Sequence, residues 1–306
     1  MTKNQQTISQ VLTQLNSVLL GKPHQVKLAV TCLLANGHLL IEDLPGMGKT
    51  TLSHALAIVF GLDYQRIQFT SDALPADLIG VSIFNQHTHA FQFHQGPIFN
   101  QLILADEINR ANPKTQSALL EAMEELQVSV DGTTYPLPKP FFVIATQNPL
   151  HQTGTYPLPE SQLDRFLMRI SIGFPPHEAE LTMLKNGGAN QTLKSLTAVF
   201  TGKELAEIQQ QIQDVNISDA TLGYVMRLLH FTRQPGQCPN PLSPRAGLAL
   251  ISAAKAYAFI ENQDYVTPDH IKQVFGAVAE HRFGIHSVSN EHSMSAAILN
   301  NVDPLL

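Results

Sequence analysis

The sequence predicts an α/β fold, a parallel five-stranded sheet flanked by helices, followed by an all-α second half. Three observations carry that reading. Short apolar runs alternate with helical patterns through the first half of the chain. Several of those runs are apolar without alternation, as strands covered by helices on both faces must be. Gly173, Phe174, Pro175 and Pro176 then break the pattern, and beyond about His177 only helices and loops are expected.

Five strands follow in order: His38 to Glu42, Tyr64 to Phe69, Leu102 to Ala105, Phe141 to Thr146, and Met168 to Gly173. The first, third and fourth are apolar over most of their length. In the second half, Ser218 opens a run with Leu222, Val225, Met226 and Leu229 at helical spacing. Ser243-Pro244 and Thr267-Pro268 each place an N-cap hydroxyl before a proline at the first helical position, where a missing N–H does no harm. The expected division is an α/β unit over residues 1–174 and a helical unit over residues 175–306.

Composition narrows the functional classes. A chain of 306 residues can bury two cores, and it holds no apolar run long enough to span a bilayer. The segment from Met1 to Gln14 lacks the basic and then apolar regions of a secretory signal, so a cytoplasmic location is expected. Cys32 and Cys238 are too few and too far apart for a disulfide framework or a cysteine zinc site. A net charge of −6 without long runs argues against a broad nucleic-acid-binding face, though not against a local basic channel in an oligomer.

The chemistry is written in two strand ends. After the first strand, Leu44, Pro45, Gly46, Met47, Gly48, Lys49, Thr50 and Thr51 lead into a helix with Leu52, Leu56 and Val59 on one face. In a phosphate loop of this kind, glycines let backbone N–H groups turn inward around the phosphates of ATP. The lysine reaches the β and γ oxygens, and the Thr50 hydroxyl is offered to Mg²⁺. The usual motif begins with glycine where this chain has Asp43. The third strand runs into Asp106 and Glu107, two carboxylates at the edge where open α/β sheets bind ligands. Asp106 can hold Mg²⁺ through water, and Glu107 can orient and deprotonate an attacking water.

The fourth strand ends in Gln147, Asn148 and Pro149, whose amide could hold that water or touch the γ-phosphate. Two arginines complete the candidate catalytic set. Arg165 falls just before the fifth strand, and Arg245 sits in the first turn of the helix begun by Ser243. A cation there opposes the helix dipole, which makes sense where an anion is bound. A surface salt bridge is the competing reading for both.

Together these segments resemble the MoxR family of AAA+ ATPases. The matching stretches are Leu39 to Thr51, Arg66 to Gly80, Gly96 to Phe99, Leu104 to Glu125, Ala145 to Phe166 and Leu242 to Ala246, and Asp43 fits because the family commonly has an acidic residue there. The resemblance implies Lys49 and Thr50 as Walker A, Asp106 and Glu107 as Walker B, Asn148 as sensor 1, Arg165 as arginine finger and Arg245 as sensor 2. It further implies a homo-hexameric ring in which Arg165 reaches a neighbour's γ-phosphate, with a helical lid after the sheet. The implied work is chaperone-like remodelling, activation or metal-cofactor insertion of a client protein complex, with a partner carrying a von Willebrand factor A domain. Two hairpin insertions are also implied. Val81 and Ile83 alternate with Phe91 and Phe93 about Asn85 to His89, and Val128 and Val130 precede Asp131-Gly132. Such hairpins face a pore or partner in related ring ATPases, and simple packing is the other reading.

Other signals carry less. His87, His89 and His94 lack a nearby acidic or cysteine ligand and read as exposed turn residues rather than a metal cluster. His281, Arg282 and His286 read as capping or a solvated helix end, and Glu121, Glu124 and Glu125 as a solvated helix face. The alternatives to a remodeller are a DNA-translocating or helicase-type motor, which the acidic balance disfavours, and a switch with negligible turnover, which would not need Glu107, Asn148 and Arg165 together.

Overall fold

Two helices, α1 (Lys3–Val18) and α2 (Pro23–Leu34), precede the first strand, β1 (Leu39–Glu42), in the computed structural model, which describes residues 3–148, 154–186, 190–284 and 293–304. Next come α3 (Lys49–Phe60), β2 (Tyr64–Gln68), the short α4 (Pro75–Ile79), and a hairpin of β3 (Gly80–Asn85) and β4 (Ala90–Gln95). They are followed by β5 (Leu102–Asp106), α5 (Pro113–Glu125), and a second hairpin of β6 (Gln127–Val130) and β7 (Thr133–Pro136). The sheet is completed by β8 (Phe142–Gln147), α6 (Glu160–Leu163) and β9 (Met168–Ile170). The second half holds α7 (His177–Asn186), α8 (Asn190–Ser195), α9 (Gly202–Gln213), β10 (Asn216–Ile217) and α10 (Asp219–Thr232). After these come α11 (Pro244–Ile260), β11 (Tyr265–Val266), α12 (Pro268–Ala279) and α13 (Met294–Asn301).

The five predicted strands form one parallel sheet in the order β2-β5-β8-β1-β9. Both central strands β5 and β8 are buried along their whole length, the burial that continuously apolar runs require. Successive residues face opposite layers. Leu40, Ile103, Val143 and Ala145 pack with Leu119, Leu120 and Met123 of α5, whereas Leu39, Ile41, Leu102, Leu104 and Ile144 pack toward α1, α2 and α3. That second core continues without interruption into α11 and α12. The last strand ends at Ile170, three residues short of the expected Gly173, and hydrophobic packing crosses from one half of the chain to the other.

Local chemistry explains the helical starts. Ser218, Ser243 and Thr267 each accept a hydrogen bond from the backbone N–H three residues on, and Pro244 and Pro268 begin α11 and α12. Two features depart from the sequence reading. The N-terminal segment forms α1, burying Ile8, Val11, Leu15 and Val18 at helical spacing. The second half also contains strands, because β10 and β11 pair in parallel and join the loops before α10 and α12. Two-residue runs carry no periodicity from which to predict them. No helix among the described residues is long and apolar enough to cross a membrane.

Both hairpins form as expected, and they touch each other where Phe93 stacks on Tyr135 with centroids 4.4 Å apart. The second buries Val128, whereas the first leaves Ile83, Phe84 and Phe91 exposed near its tip, with Phe84 and Phe91 packed edge to face.

One buried side chain locks the start of β1. His38 accepts a hydrogen bond at Nδ1 from the N–H of Val143, so Nε2 carries the proton and donates to the carbonyl of Met123 at 3.2 Å. Burial pushes its pKa down from 6.5 to about 4. The folded chain therefore holds this ring neutral where the unfolded chain protonates it. Its stabilisation is complete above the unfolded pKa and is lost as pH falls toward 4, by about 3 kcal/mol in all. Urea unfolding at pH 7, 5.5 and 4.5 should show stability declining with acid more steeply in the wild type than in His38→Asn. Parallel declines would show that His38 is not the neutral clamp described.

Candidate active site

The phosphate loop is open and its backbone is set by two glycines. Gly46 and Gly48 have φ of 85° and 87°, in the left-handed region that a β-carbon disfavours. Gly48 is the N-cap of α3 and provides no side-chain cap, so the first N–H groups of that helix are available to an anion. Pro45, Gly46 and Thr50 are exposed, and Met47, Gly48, Lys49 and Thr51 are half-buried. Lys49 donates from Nζ to the carbonyl of Asp43 at 2.7 Å. Burial lowers its pKa, opposed by the carboxylates of Asp43, Asp106, Glu107 and Glu42 around it. Both predicted motifs therefore converge on one spot, where Asp106, Glu107 and Glu42 are each also paired with an arginine, Arg66, Arg110 and Arg169 respectively.

Asp43 has a structural reason to stand where the usual motif has glycine. Its Oδ2 accepts from the N–H groups of Ile172 (2.7 Å) and Gly173 (2.6 Å) and from the Ser171 hydroxyl, while Oδ1 accepts from the N–H of Leu44. The start of the phosphate loop is thereby tied to the chain leaving β9.

At the end of β5 one hydroxyl organises two acids. Thr146 donates from Oγ1 to Asp106 Oδ1 at 2.6 Å and accepts from the N–H of Glu107 at 2.9 Å. Asp106 also accepts from Arg66 through Nε (3.1 Å) and Nη2 (2.7 Å). Glu107 adopts the left-handed conformation, φ 57° and ψ 48°, a placement that costs about 1–3 kcal/mol and persists only where surroundings impose it. Its Oε2 accepts from Gln68 Nε2 at 3.0 Å and pairs with Arg110 Nε at 3.0 Å. Sequence reasoning gave Arg66, Gln68, Arg110 and Thr146 no role. The signal for the first two is polar residues at alternate positions of a strand beside the acid-bearing one, which places both on one face. Asn148 follows β8, between the strands bearing the acids and the phosphate loop, and its carbonyl accepts from Asn109. Pro149 lies outside the described residues.

The two arginines lie elsewhere. Arg165 precedes β9 and therefore sits at the amino edge of the sheet, whereas the phosphate loop follows the carboxyl end of β1. A four-residue strand separates those edges by about 13 Å. Arg245 joins Arg165 there. Glu124, at the end of α5, binds Arg165 Nη2 through Oε2 at 3.0 Å and Arg245 Nη2 through Oε1 at 2.7 Å. The anion at the start of α11 is thus Glu124, which is not the merely solvated residue expected. His281 and Arg282 also correct the expectation of a solvated end, being 2% and 8% exposed. Arg282 donates from Nε to Asp164 Oδ1 at 2.6 Å and from Nη2 to the carbonyl of Phe166, gripping the segment that carries Arg165. His286 lies outside the described residues. His87 lies in the turn of the first hairpin, His89 is the residue before β4, and His94 lies on β4.

Comparison with known proteins places this layout. Residues 38–168 match the family model described as ATPase family associated with various cellular activities (AAA), and residues 240–302 match the AAA lid domain. YeaC of Bacillus subtilis (strain 168) is 44% identical over 279 residues, covering 91% of this chain and 87% of YeaC. Chaperone MoxR1 of Mycobacterium tuberculosis is 38% identical over 285 residues, covering 90% and 75% of the two chains. Protein MoxR of Paracoccus denitrificans is 30% identical, with coverage of 88% and 86%. A crystal structure from Cytophaga hutchinsonii superposes with a TM-score of 0.87 at 38% identity, over 98% of this chain and 95% of that one.

The Asp43 network has a measurable consequence. Asp43→Gly restores the usual motif but removes the acceptor from the amides of Ile172 and Gly173, so it should lower stability by about 1–3 kcal/mol in urea unfolding. Asp43→Asn, which keeps one acceptor oxygen, should lose less. Equal stability of Asp43→Gly and wild type would refute the anchoring role.

Proposed function

Because the chain belongs to the MoxR family of chaperone-like AAA+ ATPases, we propose that its ATP site is completed only at the junction between two copies in a homo-hexameric ring. The observation that supports this reading is the separation of the two halves of the machinery. Lys49, Asp106 and Glu107 gather at the carboxyl edge of the sheet, and Arg165 with Arg245 gather at the amino edge. A head-to-tail contact that closes into a ring brings one edge of each copy against the other edge of the next.

In this reading Pro45 to Thr51 cradle the triphosphate, and the Thr50 hydroxyl and the Asp106 carboxylate hold Mg²⁺. A hydroxyl and a carboxylate are the oxygen donors that a hard divalent cation takes. When bound, the ion would supply positive charge against the phosphates. Glu107, aimed by its left-handed backbone and held by Gln68 and Arg110, polarises the attacking water, and Asn148 orients it. Arg165, with Arg245 beside it, meets a neighbour's γ-phosphate. Sensor 2 then works from the same face as the finger, since Glu124 holds both.

The domain division we infer is an α/β unit over residues 1–174 and a helical lid over residues 175–306, working as a cytoplasmic remodeller of a protein client. The partner proposed carries a von Willebrand factor A domain. The exposed aromatic tip of the first hairpin supports a protein rather than a nucleic acid as the bound surface, since neither hairpin contains Lys or Arg. Affinity purification from the native host that returned nucleic acid and no such partner would favour the motor reading.

The shared site is tested by mixing inactive variants. Lys49→Ala should lose nucleotide binding, while Glu107→Gln and Arg165→Ala should bind ATP and hydrolyse it slowly, the last by a factor of about 10³ to 10⁵. Lys49→Ala keeps its arginine and Arg165→Ala keeps its phosphate loop, so mixed rings contain complete junctions and phosphate release should return. With subunit exchange verified, a mixture as inactive as its parents would remove the shared-site reading.

A further inference from the structure

We infer that Glu124 is a positioning residue whose carboxylate holds Arg165 and Arg245 side by side as one anion-binding fork for a neighbouring copy's triphosphate. The inference rests on the reading of Arg165 as acting across a junction, and it adds a residue to which the motifs gave no part.

Both partners are placed against their local electrostatics. Glu124 lies in the last turn of α5, where the helix dipole disfavours an anion, and Arg245 lies in the first turn of α11, where it disfavours a cation. Each is misplaced on its own helix and correctly placed only for the other. The two arginines also come from different halves of the chain, one from the segment entering β9 and the other from α11. Two neighbouring guanidiniums repel, and their long side chains have ample freedom to splay apart. Glu124 opposes that by giving each arginine its own oxygen, at 3.0 Å and 2.7 Å.

The contact leaves capacity for a ligand. Each guanidinium meets Glu124 through one nitrogen, and a guanidinium carries five N–H donors. Both side chains reach solvent, with exposures of 28% for Arg165 and 53% for Arg245. Beside them Asp164 is neutralised by Arg282, so the two arginines and Glu124 keep one net positive charge in the cleft they share with Gly37 and Leu248. That cleft attracts phosphate with the carboxylate in place, and Glu124 has no need to leave for the fork to work.

The decisive experiment uses the full-length chain with Glu124→Gln, which keeps shape and removes charge at an exposed position. ATP turnover should fall roughly ten- to a hundredfold through kcat, the scale on which misplacing a catalytic group acts, with KM and affinity for a fluorescent ATP analogue within about threefold of wild type. Glu124→Asp should recover part of the loss. Mixing Glu124→Gln with Lys49→Ala should restore turnover, because Lys49→Ala supplies an intact fork to junctions whose phosphate loop is intact. Arg165→Ala, mixed in the same way, serves as the control for exchange. Wild-type turnover in Glu124→Gln beside an inactive Arg165→Ala would overturn the role of Glu124 and leave the junction reading standing. Wild-type turnover in Arg165→Ala would remove both. A slow Glu124→Gln that Lys49→Ala fails to rescue, while Arg165→Ala is rescued, would place the defect within its own subunit and overturn the proposal.

Discussion

Parallel pairing of β1 with β8 on one side and β9 on the other is the constraint from which the layout of the site follows. In parallel strands every carboxyl end lies at one edge and every amino end at the other. The phosphate loop after β1, Asn148 after β8 and Asp106 closing β5 therefore meet without any further device. The same geometry sends Arg165, entering β9, to the opposite edge, where Leu167 donates its N–H to the carbonyl of His38 at 2.9 Å and fixes the register of the two strand starts. Helix α5 follows β5 and returns toward the amino edge, carrying Glu124 in its last turn. An antiparallel strand in place of β9 would carry Arg165 to the carboxyl edge, beside the loop after β1.

At the carboxyl edge the difficulty is to keep acids close together at the end of a buried strand. A carboxylate with little water around it must have its lone pairs met by donors. Asp106, 8% exposed, is met by Thr146 and Arg66, and Glu107 by Gln68 and Arg110. Thr146 can serve both acids because a hydroxyl donates once and still accepts. The N–H of Glu107 is placed by the end of β5, and its left-handed φ and ψ set the direction of the carboxylate and of the chain that follows.

What was legible in the sequence, and what was not, divides along the range of the interactions. The strands, the N-caps at Ser218, Ser243 and Thr267, and the turn at Gly46 to Gly48 are local, since each depends on neighbours a few residues away. The helix carrying Ile8, Val11, Leu15 and Val18 was equally local, and its 3.6-residue period was present to be read. The environments of Asp43 and Glu124 were not. Asp43 binds amides about 130 positions away, and Glu124 binds one arginine 41 positions on and another 121 positions on. An acidic face on a helix looks the same in sequence whether water or arginine lies opposite. Arg282 misled for the same reason, because its burial comes from the docking of α12 against β9 and cannot be seen in the residues around it.

The ion pairs at the amino edge differ in a way that separates frame from moving part. Arg282 and Asp164 are largely withdrawn from water, and Arg282 also binds the backbone carbonyls of Phe166 and Leu167 in the segment that follows Arg165. Breaking such a pair strands a buried charge, at a cost of about 3–5 kcal/mol, so the pair acts as a rigid frame. The bonds from Glu124 to Arg165 and Arg245 lie at a surface that water reaches, where an ion pair contributes about 0–1 kcal/mol. Those bonds can be redistributed at little cost while Arg282 holds the backbone around Arg165 still. The buried pair therefore fixes the backbone from which Arg165 projects, while the exposed carboxylate of Glu124 sets where the two guanidiniums rest and leaves them free to meet a further anion.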